Sequence, residues 1–244
     1  MMDEPFQLTI RLRSPVIFSG FHLPTLDAVL AAARYRQTGS LAEMLDIPLK
    51  RTGDVFHGSV AMVVDPPAQI LQSRLYVLYR ALRGQDMDIA GVQFPKTIDP
   101  ARDETFQVVA SQYATYFTAA PATKRGLGAR SAGPALTLVY DGCGDGEACA
   151  ALLADFLLGI GKRAGRGFGE IAPNGVGDPM EREADYSLKG PDGNPRRPIP
   201  VTLWAALGGA PDQATEEVSY YPPYNESPRS LCVMPPALMR WEAA

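Results

Sequence analysis

Apolar and polar positions alternate cleanly at the start of the chain. Phe6, Leu8, Ile10 and Leu12 fall on one face and Gln7, Thr9, Arg11 and Arg13 on the other, which is the period of a half-buried strand. The pattern predicts a strand over residues 6–18 that Ser14-Pro15 breaks or bulges, followed by a turn at Ser19-Gly20. From Leu26 the period changes. Leu26, Val29, Leu30 and Ala33 repeat at helical spacing after Pro24-Thr25, so a helix begins there with Thr25 as its cap, Asp27 in its first turn and Arg34 and Arg36 in its last. An apolar run over 55–64 predicts the next strand, after a turn at Thr52-Gly53-Asp54. Residues 135–140 predict another, closed by a turn at Asp141-Gly142. Leu152, Leu153, Phe156 and Leu157 mark a second helix over 147–158, and 168–171 reads as the start of a last strand.

Between the two strand–helix units lies a less regular stretch, 68–134, with a helix or strand at 70–82. The predicted order is therefore β-α-β, insertion, β-α-β, an α+β arrangement of ferredoxin-like (RRM-like) type, spanning residues 1–177. Beyond it, in 178–244, the composition shifts, since 12 of the 22 prolines lie in residues 170–244. Trp204, Tyr220, Tyr221 and Tyr224 give this extension enough apolar area to wrap on the core.

The chemistry concentrates between the second helix and the last strand. Gly159-Ile160-Gly161-Lys162-Arg163-Ala164-Gly165-Arg166-Gly167-Phe168-Gly169 holds five glycines and three cations in eleven residues, a composition no core needs. Glycine lets successive amides converge on an anion, and Lys162, Arg163 and Arg166 add charge around it. Phosphate is the ligand that fits. Gly159, Gly161 and Ala164 satisfy G-x-G-x-x-A, but nucleotide loops of that type run strand, loop, helix, whereas this one runs helix, loop, strand. A second basic glycine segment, Lys124-Arg125-Gly126-Leu127-Gly128-Ala129-Arg130, is predicted to be another phosphate-facing loop. Tyr113, Tyr116 and Phe117 beside it are either core or base-stacking residues.

A helix ending in a basic glycine loop before a last strand resembles the signature loop of the RAMP superfamily of CRISPR-associated RNA-binding proteins. Ser14-Pro15-Val16-Ile17 and His22-Leu23-Pro24-Thr25-Leu26-Asp27-Ala28-Val29-Leu30-Ala31 resemble the opening of one branch, the small subunit of type IV CRISPR effector complexes. The resemblance implies a non-catalytic subunit that caps the 5′ handle of the guide RNA and meets backbone and large subunits. It implies RNA contacts at Gly161, Lys162, Arg163, Gly165, Arg166 and Gly167, with His22, Lys124, Arg125 and Arg130 as further candidates. In such proteins the insertion acts as a thumb, which would place it at 68–134. Some relatives cut RNA without metal, so a guide-processing endoribonuclease using His22 is the competing expectation, and an assembly protein without RNA contact a third.

Charge and cysteines narrow the picture. The net charge of −4 resides in the tail: residues 1–169 hold 17 Lys and Arg against 16 Asp and Glu, residues 170–244 hold 6 against 11. The rest can carry a local basic groove. Cys143, Cys149 and Cys232 form no C-x-x-C pair, so no disulfide framework, metal site or cofactor is expected. His57 reads as a structural histidine within a strand. No apolar run approaches the ~20 residues of a membrane span, and the N-terminus lacks the pattern of a signal peptide, so a cytoplasmic protein without membrane contact is expected.

Overall fold

The computed structural model describes residues 3–14, 16, 24–64, 137–161, 169–224 and 226–236, together with the backbone of 74–78, 115–117 and 126–130. The chain divides into two compact units, one formed by residues 1–66 and 134–244, the other by 67–133.

In the first unit, strand β1 (Glu4–Leu12) pairs along nearly its whole length with a later strand at Thr137–Gly144, the eighth in chain order (β8). The pairing is antiparallel, with Phe6 opposite Gly142 and Ile10 opposite Leu138. Helix α1 (Leu26–Thr38) follows β1, and Met62–Val64 (β4) then pairs antiparallel with β8. After β8 comes helix α2 (Gly146–Phe156), and the chain returns to the free edge of β1. There Ile171–Val176 (β9) pairs at Ile10 and Leu12, and Met180–Glu181 (β10) at Phe6 and Gln7. The sheet thus runs β9/β10, β1, β8, β4, all antiparallel, with both helices packed on one face. The fold class is α+β.

The alternation read in the sequence explains this layering. Phe6, Leu8, Ile10 and Leu12 share a core with Leu138 and Tyr140 of β8, Leu26, Val29, Leu30 and Ala33 of α1, and Leu152 and Leu153 of α2. Leu8, Ile10, Leu26, Leu30, Leu138, Tyr140 and Leu153 have no exposed surface, and each such side chain contributes about 1.5–3 kcal/mol through burial. Asp145 caps α2 by accepting from the Ala148 amide at 2.9 Å.

Three local expectations are corrected. Asp141-Gly142 is not a turn but continues β8, because the Asp141 side chain finds a donor in Gln7 Nε2 at 3.1 Å and the ring of Phe6 occupies the space where a Cβ of residue 142 would lie. Thr25 precedes α1 but its side chain makes no cap bond; its hydroxyl pairs instead with the Tyr224 hydroxyl at 2.8 Å. The strand expected over 55–64 is divided. Val55–Phe56 (β3) turns back on Arg51–Thr52 (β2), and β4 begins only at Met62.

Past β10 the extension builds a second, small core together with Val55 of β3. Ile199–Pro200 (β11), Thr215–Ser219 (β12) and Arg229–Val233 (β13) form a sheet in the order β11, β13, β12. Val55, Leu188, Ile199, Trp204 and Val233 pack together beneath it, with Trp204 carried by helix α3 (Val201–Ala206). Arg197 is wholly buried and locks this layer down. It donates to the carbonyls of Phe56 (2.6 Å) and Gly58 (3.2 Å) and to the Asp27 carboxylate (3.0 Å). Tyr224 donates to the same Asp27 oxygen at 3.0 Å.

The second unit holds three antiparallel strands, Arg74–Leu78 (β5), Thr115–Phe117 (β6) and Gly126–Arg130 (β7), in the order β5, β7, β6. Residues 126–130, expected as part of a loop, are therefore a central strand. Backbone pairing on both of its edges offsets the conformational cost of Gly126 and Gly128.

Candidate nucleic-acid interface

The glycine-rich loop leaves α2 and returns to β9 through a closed stem. Gly159 and Glu170 form an antiparallel bridge, and the Ile160 amide donates to the Gly169 carbonyl at 2.8 Å. Ile160 is buried in the main core, which anchors one side of the stem. The other side is fixed to the end of β1, where the Arg13 amide donates to the Glu170 carbonyl (2.8 Å) and the Ser14 hydroxyl accepts from the Glu170 amide (2.8 Å). Gly169 has φ +60, and a Cβ there would overlap the Ile160 carbonyl oxygen. Glycine is required at that point by both conformation and space. Gly161 also has positive φ, at 90.

Of the residues singled out in the sequence, Gly161 sits at the mouth of this stem. Lys162, Arg163, Gly165, Arg166, Gly167, Lys124, Arg125 and His22 lie outside the described residues, and Arg130 ends β7. Two cations beside the stem went unremarked as site residues. Arg11 projects from an exposed position of β1 and donates to the Asn174 carbonyl at 2.9 Å, and Arg13 forms a surface ion pair with Glu170. Their signal was present in the sequence as the polar face of β1, but nothing there revealed that this strand ends against the loop.

No protein-family model and no curated protein matches this chain. The geometry of its own residues therefore carries the reading.

A second polar cluster lies at the opposite end of the sheet. Cys143 is opposite Pro5, whereas the loop stem adjoins Leu12, so seven residues of β1, about 23 Å of strand, separate the two. Here His57 is held on both ring nitrogens, by Asp185 Oδ2 on Nδ1 at 2.6 Å and by the Thr52 hydroxyl on Nε2 at 2.8 Å. The other Asp185 oxygen accepts from the Ser187 amide at 3.0 Å and from its hydroxyl. Burial alone would raise the Asp185 carboxyl, but the hydrogen bonds from His57 and Ser187 outweigh it and bring the carboxyl down to about 2. Cys143 is buried beside them, and desolvation, helped by the Asp185 charge, pushes its thiol up to about 11. The residues come from positions 52, 57, 143, 185 and 187. Spacing along the chain gives no sign of their convergence.

All three cysteines are buried and unpaired. No helix among the described residues is long and apolar enough to cross a membrane.

Proposed function

We propose that this chain is a non-catalytic RNA-binding subunit of a type IV-like CRISPR ribonucleoprotein, built on a ferredoxin-like RAMP domain, that caps the 5′ handle of a guide RNA and contacts the backbone subunit. The observation that carries the reading is the closed stem joining α2 to β9. Its two ends, Gly161 and Gly169, lie at one end of a four-position sheet, and the sequence between them carries Lys162, Arg163 and Arg166. Counting β1, β4, β8 and β9/β10 as first to fourth, the sheet order is fourth, first, third, second, with helices after the first and third. That order supports the ferredoxin-like reading, and residues 67–133 lie in the sequence between the second and third of these strands. The glycines and cations suit phosphate by chemistry as well as by position.

Of the two histidines, His57 is unsuited to cleavage, so the endoribonuclease reading rests on His22. His57 is buried and engaged on both ring nitrogens, so it offers no free nitrogen to a 2′-hydroxyl. The test is titration of the purified chain with a short single-stranded repeat RNA, followed by a denaturing gel. Saturable, salt-sensitive binding with intact RNA is expected. Specific cleavage would transfer the function to an endoribonuclease, and no binding at low salt would leave an assembly protein.

A further inference from the structure

His57, Cys143 and Asp185 bring one nitrogen, one sulfur and one oxygen within 4.8 Å of one another. They come from three parts of the first unit: the segment after β3, the end of β8, and the extension beyond β10. We propose that His57 Nδ1, Cys143 Sγ and an Asp185 carboxylate oxygen bind one divalent transition-metal ion of the zinc type, with water in a fourth position.

The donor set selects the metal. A thiolate with an imidazole suits Zn2+ and disfavours Mg2+ or Ca2+, which take oxygen ligands. Bonds of about 2.0–2.3 Å in a tetrahedral site place ligand atoms some 3.3–3.7 Å apart. To reach that spacing the His57–Asp185 side, 2.6 Å without an ion, opens, while the sides to Cys143, which lie within 4.8 Å, draw in.

The surroundings are those of ligand-orienting groups. In the ion-free protein Nδ1–H donates to Asp185; an ion there takes the place of that proton, the ring carries its proton on Nε2 instead, and Thr52 Oγ1, 2.8 Å away, accepts it and holds the Nδ1 lone pair toward the metal. Ser187 holds the outer oxygen of Asp185 through both amide and hydroxyl. A Thr52–His57–Asp185 proton relay would use these contacts too, but it has no task for Cys143, whose sulfur completes the triangle. On binding, the Cys143 thiol proton passes to solvent and a thiolate–metal bond forms. The ion would then tie the extension to the central strand and the β2–β3 hairpin.

Cobalt serves as the spectroscopic probe. After dialysis against EDTA, the full chain titrated with Co2+ should develop a thiolate-to-cobalt charge-transfer band and tetrahedral visible bands. They should saturate at one ion per chain and disappear on adding Zn2+, while Mg2+ produces nothing. Zn2+ should raise Tm. Cys143→Ser should abolish the charge-transfer band, Cys232→Ser should keep it, and Thr52→Val should weaken Zn2+ binding about tenfold. The parent titration stands without any variant: absence of the band at saturating cobalt overturns the site. So does a band that survives Cys143→Ser. If Cys143→Ser does not fold, Asp185→Asn takes its place, and unchanged zinc affinity in that variant overturns the proposal equally.

Discussion

The Arg197 guanidinium lies 3.0 Å from the Asp27 carboxylate, with both side chains wholly buried. One residue belongs to the first turn of α1, the other to the extension 170 positions away. Burial alone would lower the Arg197 pKa, but the Asp27 charge and the Tyr224 hydroxyl outweigh it and raise it, so the guanidinium stays charged at any working pH. Removing one partner leaves the other charged and desolvated, which costs about 3–5 kcal/mol. Arg197→Met should therefore lower the unfolding free energy in urea by that amount, and Asp27→Ala similarly. Because the two variants delete one interaction, the double variant should be far less destabilised than their sum. Additive losses would show that the pair does not act as a unit.

Thr25 supplies a sharper test of the same junction. If its hydroxyl capped α1, replacing it would be costly irrespective of residue 224. The hydroxyl instead meets Tyr224 at 2.8 Å, and Tyr224 donates to Asp27. Thr25→Val and Tyr224→Phe should each cost about 1–3 kcal/mol, with clear non-additivity in the double variant. Independent effects in thermal unfolding would restore a capping role.

These contacts mark the boundary of what the sequence made legible. The alternation in β1 and the helical spacing in α1 and α2 are local and strong, because one face of each element meets a common core. Thr25 and Asp141 misled for a shared reason. Each is a polar residue whose local rule, as cap or turn former, was displaced by a partner far along the chain: Tyr224 and Gln7. Composition alone singled out the segment between α2 and β9. The closed stem at its ends was not legible, since it depends on Ser14 and Arg13 arriving beside Glu170.

That stem makes a prediction about Gly169. Alanine there must adopt a left-handed conformation and would force the Ile160 carbonyl aside, costing about 1–3 kcal/mol in strain. The distortion falls where the loop leaves the core. Gly169→Ala should thus lower both Tm and RNA affinity at unchanged net charge. A variant with lowered Tm and parental affinity would show that stem geometry is immaterial to binding.

The charges themselves are tested through salt. Each single-strand phosphate contact by a cation contributes about 0.7 to the slope of log affinity against log salt, because neutralising a phosphate releases a condensed counterion. On the proposed reading, Lys162, Arg163 and Arg166 together would account for a slope of about 2 log units per log salt. Replacing all three with Ala should reduce RNA affinity most at low salt and flatten the dependence by that amount. Restoring lysine at 163 and 166 should recover most of the slope, since slope counts charges, but less of the affinity, since arginine grips phosphate with two parallel donors where lysine offers a point charge. Arg11 provides the internal control. It is exposed beside the stem with its guanidinium on the Asn174 carbonyl, so Arg11→Ala should change the slope by at most one contact, about 0.7. A triple variant with the parental slope would remove the loop from the interface, and a large slope change on Arg11→Ala would relocate that interface to the polar face of β1.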